Sequence, residues 1–514
     1  MDNQAENGKR IVKNTLLLYG RMLLTMWISL YTARMVLKVL GIVDYGIYNV
    51  VGGIVALMWA LNGALSSSTT RHITFELGAG NQNRLRQVFG TSLTIHGIIS
   101  VLVLLISETI GLWFLCTQMT IPPERMDAAH WVYQFSLLFM ILSIMSVPFN
   151  ACIIAYEKMD IYAYISIIDV VLKFVIIYIV DWISFDKLKL YAFLFFLTQV
   201  IIQLIYMYYC RNKFPEVRMS FIWDGTILKE MVSFTGWNLI GSGSALIMSQ
   251  GYSILLNQFF GPVVNAAKGI SNQVLGMIGK FSGNFQMALN PQIFKSYASE
   301  NLDYMYKLIF ASSKYSYYML FVLSLPIAIE SKTLLRVWLD DVPDNTNEFL
   351  RLILLTAAVN VLANPLVISA QATGKIKKIQ MAESVVLLLI LPFTYFSFKI
   401  GALPVIGFYI YFLFHVIAVI VRLMILHSLI KISYKDYFVQ VISPILSVTF
   451  LSIALGGIAF YYLDNETFFN SLVVCFLVCL FTIGIIFLFG LNRKEKDFVC
   501  DKLKTILRKV SNRV

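Results

Sequence analysis

Lys268, Asn272, Lys280 and Asn284 follow one another at spacings of four, eight and four residues, inside a stretch that is otherwise apolar and membrane-length. At 100° per residue they share one half of a helical cylinder with Gln273, Gly276, Gly279, Gly283 and Gln286. Ile270, Val274, Leu275, Met277, Ile278, Phe281, Phe285 and Leu289 occupy the other half. A charge at the centre of a bilayer costs about 2.5–3.5 kcal/mol, so the polar half must face water or protein. A helix lying flat on the membrane surface would satisfy the same demand. Hydrophobic spans on both sides leave it little chain with which to re-enter, so the stretch is read as a transmembrane helix lining a cavity. Fixed cations in such a cavity suit an anionic ligand, such as a phosphate or pyrophosphate group.

Other polar residues sit on the helices that must position this one. Asn14, Arg21, Thr25 and Thr32 share a face of the first apolar stretch. Asn238, Ser242, Ser249 and Ser253 do the same in the seventh, where Gly236, Gly241, Gly243 and Gly251 permit bending or close packing. Asp169 and Lys173 lie one turn apart, a spacing at which they can pair, either as a neutralised structural pair or as a functional one. Lys314 and Arg422 are read as snorkelling towards an aqueous face ahead of a cavity role. His415 is read as a satisfied interior histidine. Arg21, Lys268 and Lys280 stand out because each belongs to a polar stripe. The first stretch contains no carboxylate, which a site for a cation would call for.

Composition sets the class. The 514 residues are 58% hydrophobic and only 14% charged, with a mean hydropathy of +0.74; a soluble enzyme of this size would need far more surface charge. The apolar run from Ile11 to Leu40 is too long for a signal-peptide core and lacks a small-residue cleavage site, so it reads as the first span. Six scattered cysteines, with no CxxC pair, indicate neither disulfides nor a metal site, and no cofactor is called for. The net charge of +12 lies mostly in short loops, which argues against nucleic acid as a partner.

Hydropathy predicts an all-α polytopic membrane protein with about fourteen spans, near 12–40, 46–66, 88–116, 129–155, 161–183, 188–210, 231–256, 263–289, 308–330, 348–371, 380–400, 405–428, 438–463 and 468–491. Alternate loops separate by charge. One set carries Lys9, Arg10 and Lys13, then Arg71, Arg84 and Arg86, then Arg211, Lys213 and Arg218, then Lys295, Lys375, Lys377, Lys378, Lys431 and Lys435. The other carries Asp44, Glu124, Asp127, Asp181, Asp186, Asp340, Asp341, Asp344, Asp464 and Glu466. The positive-inside rule then puts both termini in the cytoplasm.

The chain also repeats itself at roughly 220 residues. VPFNACIIAYEKM (147–159) lines up with NPLVISAQATGKI (364–376), FELGAGNQNRL (75–85) with KSYASENLDYM (295–305), and Glu108/Trp113 with Glu330/Trp338. Six helices per period keep the two copies in one orientation. The predicted organisation is an N-lobe over 1–210 (spans 1–6), a cytoplasmic linker over 211–230, a C-lobe over 231–430 (spans 7–12), two further spans over 431–491, and a basic cytoplasmic tail over 492–514. A central cleft between the lobes is expected, with the first helix of each flanking it.

The run LLNQFFGPVVNAAKGISNQV, with FSGNFQMALNPQIFKSYA, NPLVISAQATGKIK and LGIVDYGIYNVVGGI, resembles the polysaccharide-repeat flippases of the Wzx type. These belong to the MOP superfamily, which also includes the MATE multidrug exporters and the lipid II flippase. The resemblance covers nearly the whole chain. It implies a MATE-like fold in the bacterial inner membrane and flipping of an undecaprenyl-pyrophosphate-linked oligosaccharide, for O-antigen, capsule or exopolysaccharide. Membrane lipids, a polysaccharide polymerase and glycosyltransferases are the partners it implies. Relatives in the lipid II branch hold the pyrophosphate with arginines on their first and eighth helices; Arg21 and Lys268 take those places here. Lys268 departs from the pattern, because a lysine is a point charge without the bidentate fork of arginine. The expected ligand set is Arg21, Lys268, Asn272, Lys280 and Asn284, with Asp169 and Lys173 as a coupling or structural pair.

Two other readings stay open at this stage. A drug or cation antiporter of the same superfamily would bind a cation instead. A membrane glycan polymerase or ligase would need a large outer catalytic loop or metal-binding carboxylates. The longest outer loop is only the 330–348 region, whose Asp340–Asp341 pair reads as a hydrated turn.

Overall fold

In a computed structural model, residues 2–56, 59–119, 121–214, 217, 222–339, 342–463, 467–493, 495–497 and 500 are described. Asp340, Asp341, Asp464, Glu466, Arg218, most of the 211–230 linker that follows Phe214 and precedes Ile222, and the tail from 501 on lie outside them. The described residues are predominantly helical, without a strand among them. Helices run as α1 (Asp2–Ala56), α2 (Trp59–Ala79), α3 (Gln82–Ile106), α4 (Leu112–Gln118), α5 (Met126–Ala155), α6 (Met159–Trp182), α7 (Lys187–Lys213) and α8 (Gly225–Ala298). They continue as α9 (Leu302–Ile329), α10 (Ser331–Trp338), α11 (Thr346–Thr373), α12 (Lys377–Lys399), α13 (Pro404–Ile430), α14 (Tyr434–Tyr437), α15 (Ser443–Leu463) and α16 (Phe468–Ile485).

Two of these helices are far too long for one crossing. At 1.5 Å per residue the 74 residues of α8 would extend about 110 Å, against a hydrocarbon core of about 30 Å. It is broken at Gly261 (φ 82°, ψ −178°), and α1 is broken at Gly41 (φ 78°, ψ 170°). That backbone region is essentially closed to residues with a Cβ, so glycine marks both bends. Eleven helical segments among the described residues are long and apolar enough to span, with α8 counted once. Fourteen spans are expected; the bends at Gly261 and Gly41 divide α8 and α1 into two helical stretches each.

The expected spans 46–66 and 263–289 are too short. Helix continues through Ala79 and Ala298, although SSSTTRHITFELGA is polar. Its Ser68, Thr69, Arg71, His72 and Thr74 are buried. Hydropathy stops the prediction where the helix leaves lipid; packing against protein lets it run on.

The repeat is written in the backbone. Gly41 and Gly261, 220 apart, share one positive-φ conformation; so do Gly80 and Glu300, 220 apart, and Glu157 and Gly374, 217 apart. Pro148 and Pro365, 217 apart, lie inside α5 and α11.

The chain divides into two compact units. The first comprises the described residues up to Gly243, with Met287–Leu302 and Gln371–Met381; the second comprises Ser244–Gln286, Asp303–Ala370 and the described residues from Ala382 on. The first unit is built on Leu65, Ile73, Phe89, Phe149 and Ile153, with a second cluster around Val132, Tyr133, Ile177 and Leu188. The core of the second gathers Met248, Tyr252, Phe349, Ile390 and Phe408.

Candidate functional site

Each unit holds its own polar cavity. In the first, α1, α2, α5, α6 and α7 surround about 610 Å³ lined by Arg21, Thr25, Ser29, Asn62, Ser66, Ser143, Asn150, Ser166, Asp169, Gln199 and Tyr206, among others. The Arg21 guanidinium lies over the Tyr162 ring at 4.8 Å and donates from Nη1 to Ser166 Oγ at 3.4 Å. Lys173 Nζ meets Asp169 Oδ2 at 2.7 Å, so the anticipated pair forms. Asp169 Oδ1 is buried without a hydrogen-bond partner, and the residue faces the cavity. Asp169 is therefore both neutralised by Lys173 and part of the cavity wall.

In the second unit a cavity of about 410 Å³ is walled by Lys268, Asn272, Leu275, Gly279, Ser282, Gly283 and Gln286 of α8. Those positions form one helical stripe, and an added Cβ at Gly279 or Gly283 would meet nothing within 4 Å. Asn360 and Asn364 of α11 and the rings of Tyr252, Tyr411 and Phe408 close the other side. Asn364 donates to Gln286 Oε1 at 2.5 Å, and Gln286 donates on to the Val361 carbonyl at 3.2 Å. No carboxylate lines this cavity. Lys268 donates across the Gly261 bend, to the Ser249 carbonyl at 2.9 Å and Ser253 Oγ at 2.6 Å, with its Nζ 5.0 Å from the Tyr252 ring centroid. It thus staples the two halves of α8, two of its three ammonium N–H groups being used in these bonds.

The expected set is distributed as follows. Arg21 and Asp169 line the first cavity, and Lys268 and Asn272 the second. Lys280 is exposed and Asn284 is buried; neither lines the second cavity. Leu275, assigned to the apolar half, faces the cavity instead. Asn14 is drawn away to the backbone of Glu157, and Asn238 accepts from Gln371 and Gln380 at 3.3 and 2.9 Å. Lys314 and Arg422 are buried instead of snorkelling, and they line neither of these two cavities. Lys314 pairs with Glu495 at 2.8 Å and Arg422 with Glu383, because a buried charge needs a counter-charge. His415 is interior and satisfied, its Nδ1 at 2.8 Å from the Tyr411 carbonyl.

Sequence reasoning missed Asn62, Ser143, Gln199, Asn360 and Asn364. The repeat could have found several. Ser29 and Ser249 are 220 apart, Gly63 and Gly283 are 220 apart, and Ser143 and Asn360 are 217 apart; the earlier member of each couple lines the first cavity and the later one the second.

Residues 18–179, about a third of the chain, match the family model described as MatE. Solved structures agree over a longer stretch. A crystal structure of a MATE point mutant is 14% identical with a TM-score of 0.71, covering 83% of this chain and 97% of that one. An outward-facing multidrug resistance MATE transporter of the MOP superfamily is 15% identical with a TM-score of 0.68, covering 83% and 97%. The fold is that of the MATE transporters. A MOP superfamily transporter from Pyrococcus furiosus, described as having a binding pocket of reversed polarity that suggests a different function, shares it at 15% identity with a TM-score of 0.67, over 83% of this chain and 96% of that one. No curated protein matches. The MatE match and the shared fold point the same way, towards the architecture of the MATE transporters.

Proposed function

We propose that this protein is a flippase that carries undecaprenyl-pyrophosphate-linked oligosaccharide units across the bacterial inner membrane by alternating access, for O-antigen, capsule or exopolysaccharide synthesis. The MATE fold supplies the transport framework. In this reading the expected lobes, 1–210 and 231–430, form the moving parts, and both termini stay in the cytoplasm. The observation that carries the substrate class is the lining of the second unit's cavity. It holds one cation, the carboxamides of Asn272, Gln286, Asn360 and Asn364, three aromatic rings and no acid. Carboxamides both donate to and accept from sugar hydroxyls, and Lys268 adds positive charge for an anionic group. Arg21 in the first unit's cavity adds the fork that suits a pyrophosphate.

The MATE-like alternative, export of a drug or cation, rests on Asp169. Its unpaired Oδ1 in the first cavity is the kind of group a cation seeks. The reversed pocket polarity described for one fold neighbour illustrates that pocket charge varies within this fold. Binding to the purified, full-length protein separates the two readings. The flippase reading expects a polyprenyl pyrophosphate to bind more tightly than a cationic dye, with Arg21→Ala weakening the lipid and sparing the dye. Tighter dye binding that Asp169→Asn abolishes would establish the exporter instead.

A further inference from the structure

A third cavity, of about 500 Å³, lies wholly in the first unit and shares no lining residue with either polar cavity. Its wall joins the end of α2, the start of α8 and the corner between α11 and α12. Arg71, Lys375 and Lys377 bring three positive charges to it, against the single carboxylate of Glu230. Glu230 is itself within 3.7 Å of Arg84. Neither lysine makes an ion pair among the described residues.

Arg71 is the built part of this site. It is 9% exposed, with its guanidinium held over the Phe75 ring at 4.8 Å. Nε donates to the Gln371 carbonyl and one Nη2 hydrogen to the Ala372 carbonyl, both at 3.2 Å. Gly374, at φ +75°, lets the guanidinium approach, since a Cβ there would stand 2.9 Å from Nη2. Two of the five N–H bonds are used and three lack a protein acceptor among the described residues. A buried, hydrogen-bonded fork with donors to spare, beside two exposed lysines, is an arrangement for a multiply charged oxyanion.

We propose that this cavity binds a phosphate-type anion, a phosphomonoester or pyrophosphate group, between Arg71, Lys375 and Lys377. The charge pattern assigns this end of the molecule to the cytoplasm, where such a group comes either from solution or from a lipid head at the membrane surface. The site does not depend on the identity of any transported glycan.

Trp237 reports on it, since it lines the cavity and lies under Lys377 Nζ at 5.1 Å. The full chain in phosphatidylcholine nanodiscs is titrated with inorganic pyrophosphate, and its emission is compared with that of Trp237→Phe. A second arm replaces pyrophosphate with phosphatidic acid in the nanodisc. The proposal expects a saturable change in at least one arm, absent from Trp237→Phe; the responding arm identifies the source. Each lost charge-assisted bond corresponds to roughly a tenfold to hundredfold weakening. Lys375→Gln/Lys377→Gln, which alters only exposed side chains, should therefore weaken binding by about tenfold or more, and Arg71→Gln by more still. No response in either arm, an equal response to potassium chloride at matched ionic strength, or unchanged affinity in the double lysine variant would each overturn the site.

Discussion

Arg422 and Glu383 show what a charge inside this protein requires. Both side chains are largely withdrawn from solvent, and each supplies the other's counter-charge. Removing one partner from a buried pair costs about 3–5 kcal/mol, whereas replacing both with apolar residues is often close to neutral. Arg422→Met alone should therefore lower the thermal midpoint of the detergent-solubilised protein sharply. Arg422→Met/Glu383→Leu should recover most of that loss, and equal losses in the single and double variants would show that the pair is not what holds these helices. Glu157 is a second case. Its carboxylate accepts from Gln292 at 2.8 Å and Lys295 at 2.6 Å, and its backbone sits at φ 58°. These partners were hard to read from sequence, because the pairs span 39, 138 and 181 residues and no local spacing announces them. Asp169–Lys173 was legible because it is local, at i and i+4.

At the scale of the element, the bends in α1 and α8 decide where side chains point. An added Cβ at Gly41 or Gly261 would touch nothing within 4 Å, so any cost of substitution is conformational and not steric. Residues held in that backbone region pay about 1–3 kcal/mol. Gly41→Ala and Gly261→Ala should each destabilise by roughly that amount in thermal unfolding. Gly269→Ala, in regular helix with equally open space, should be neutral or slightly stabilising. The cavity stripe of α8 gives a matching test of its face. Single cysteines at Asn272, Gly279 and Gly283 should react with a water-soluble thiol reagent, while Ile278 and Leu289, 5% and 3% exposed, should be protected. Equal labelling of the two sets would remove the cavity. Periodicity made the polar face of this helix legible, but it misplaced Leu275, Lys280 and Asn284. A wheel divides a cylinder in half, whereas a cavity touches a narrower stripe. Asn360 and Asn364 stand four apart on one helix face, a signal that the sequence reading did not use.

For the whole molecule, the charge of the loops gives the expected orientation, and the ion pairs bear on the cations that run against it. The loop set assigned outside contains Arg125, Lys187 and Lys189. Arg125 contacts Asp44 and Asp186 at 2.5 and 2.7 Å, Lys187 contacts Asp181 at 3.3 Å, and Lys189 contacts Asp127. These cations are matched by acids, whereas Lys375 and Lys377 make no ion pair among the described residues. Cations in short loops are retained on the cytoplasmic side during insertion, so the unmatched set determines topology. A reporter fused after Val514 should thus read cytoplasmic, and one inserted beside Asp344 periplasmic. Under the proposed flippase function, the direction of transport follows from the same expected orientation. A membrane potential that is negative inside favours outward movement of an anionic head group, by about 2.3 kcal/mol per charge per 100 mV. In proteoliposomes sorted for one orientation, collapsing the potential should slow outward movement of a fluorescent polyprenyl-pyrophosphate glycan, and a potential of reversed sign should slow it further. The effect should scale with the net charge carried across, so a substrate bearing an acidic sugar should respond more steeply than a neutral one. Movement that ignores the potential for both substrates would mean that charge compensation occurs within the protein, and the coupling would then have to be sought at Asp169.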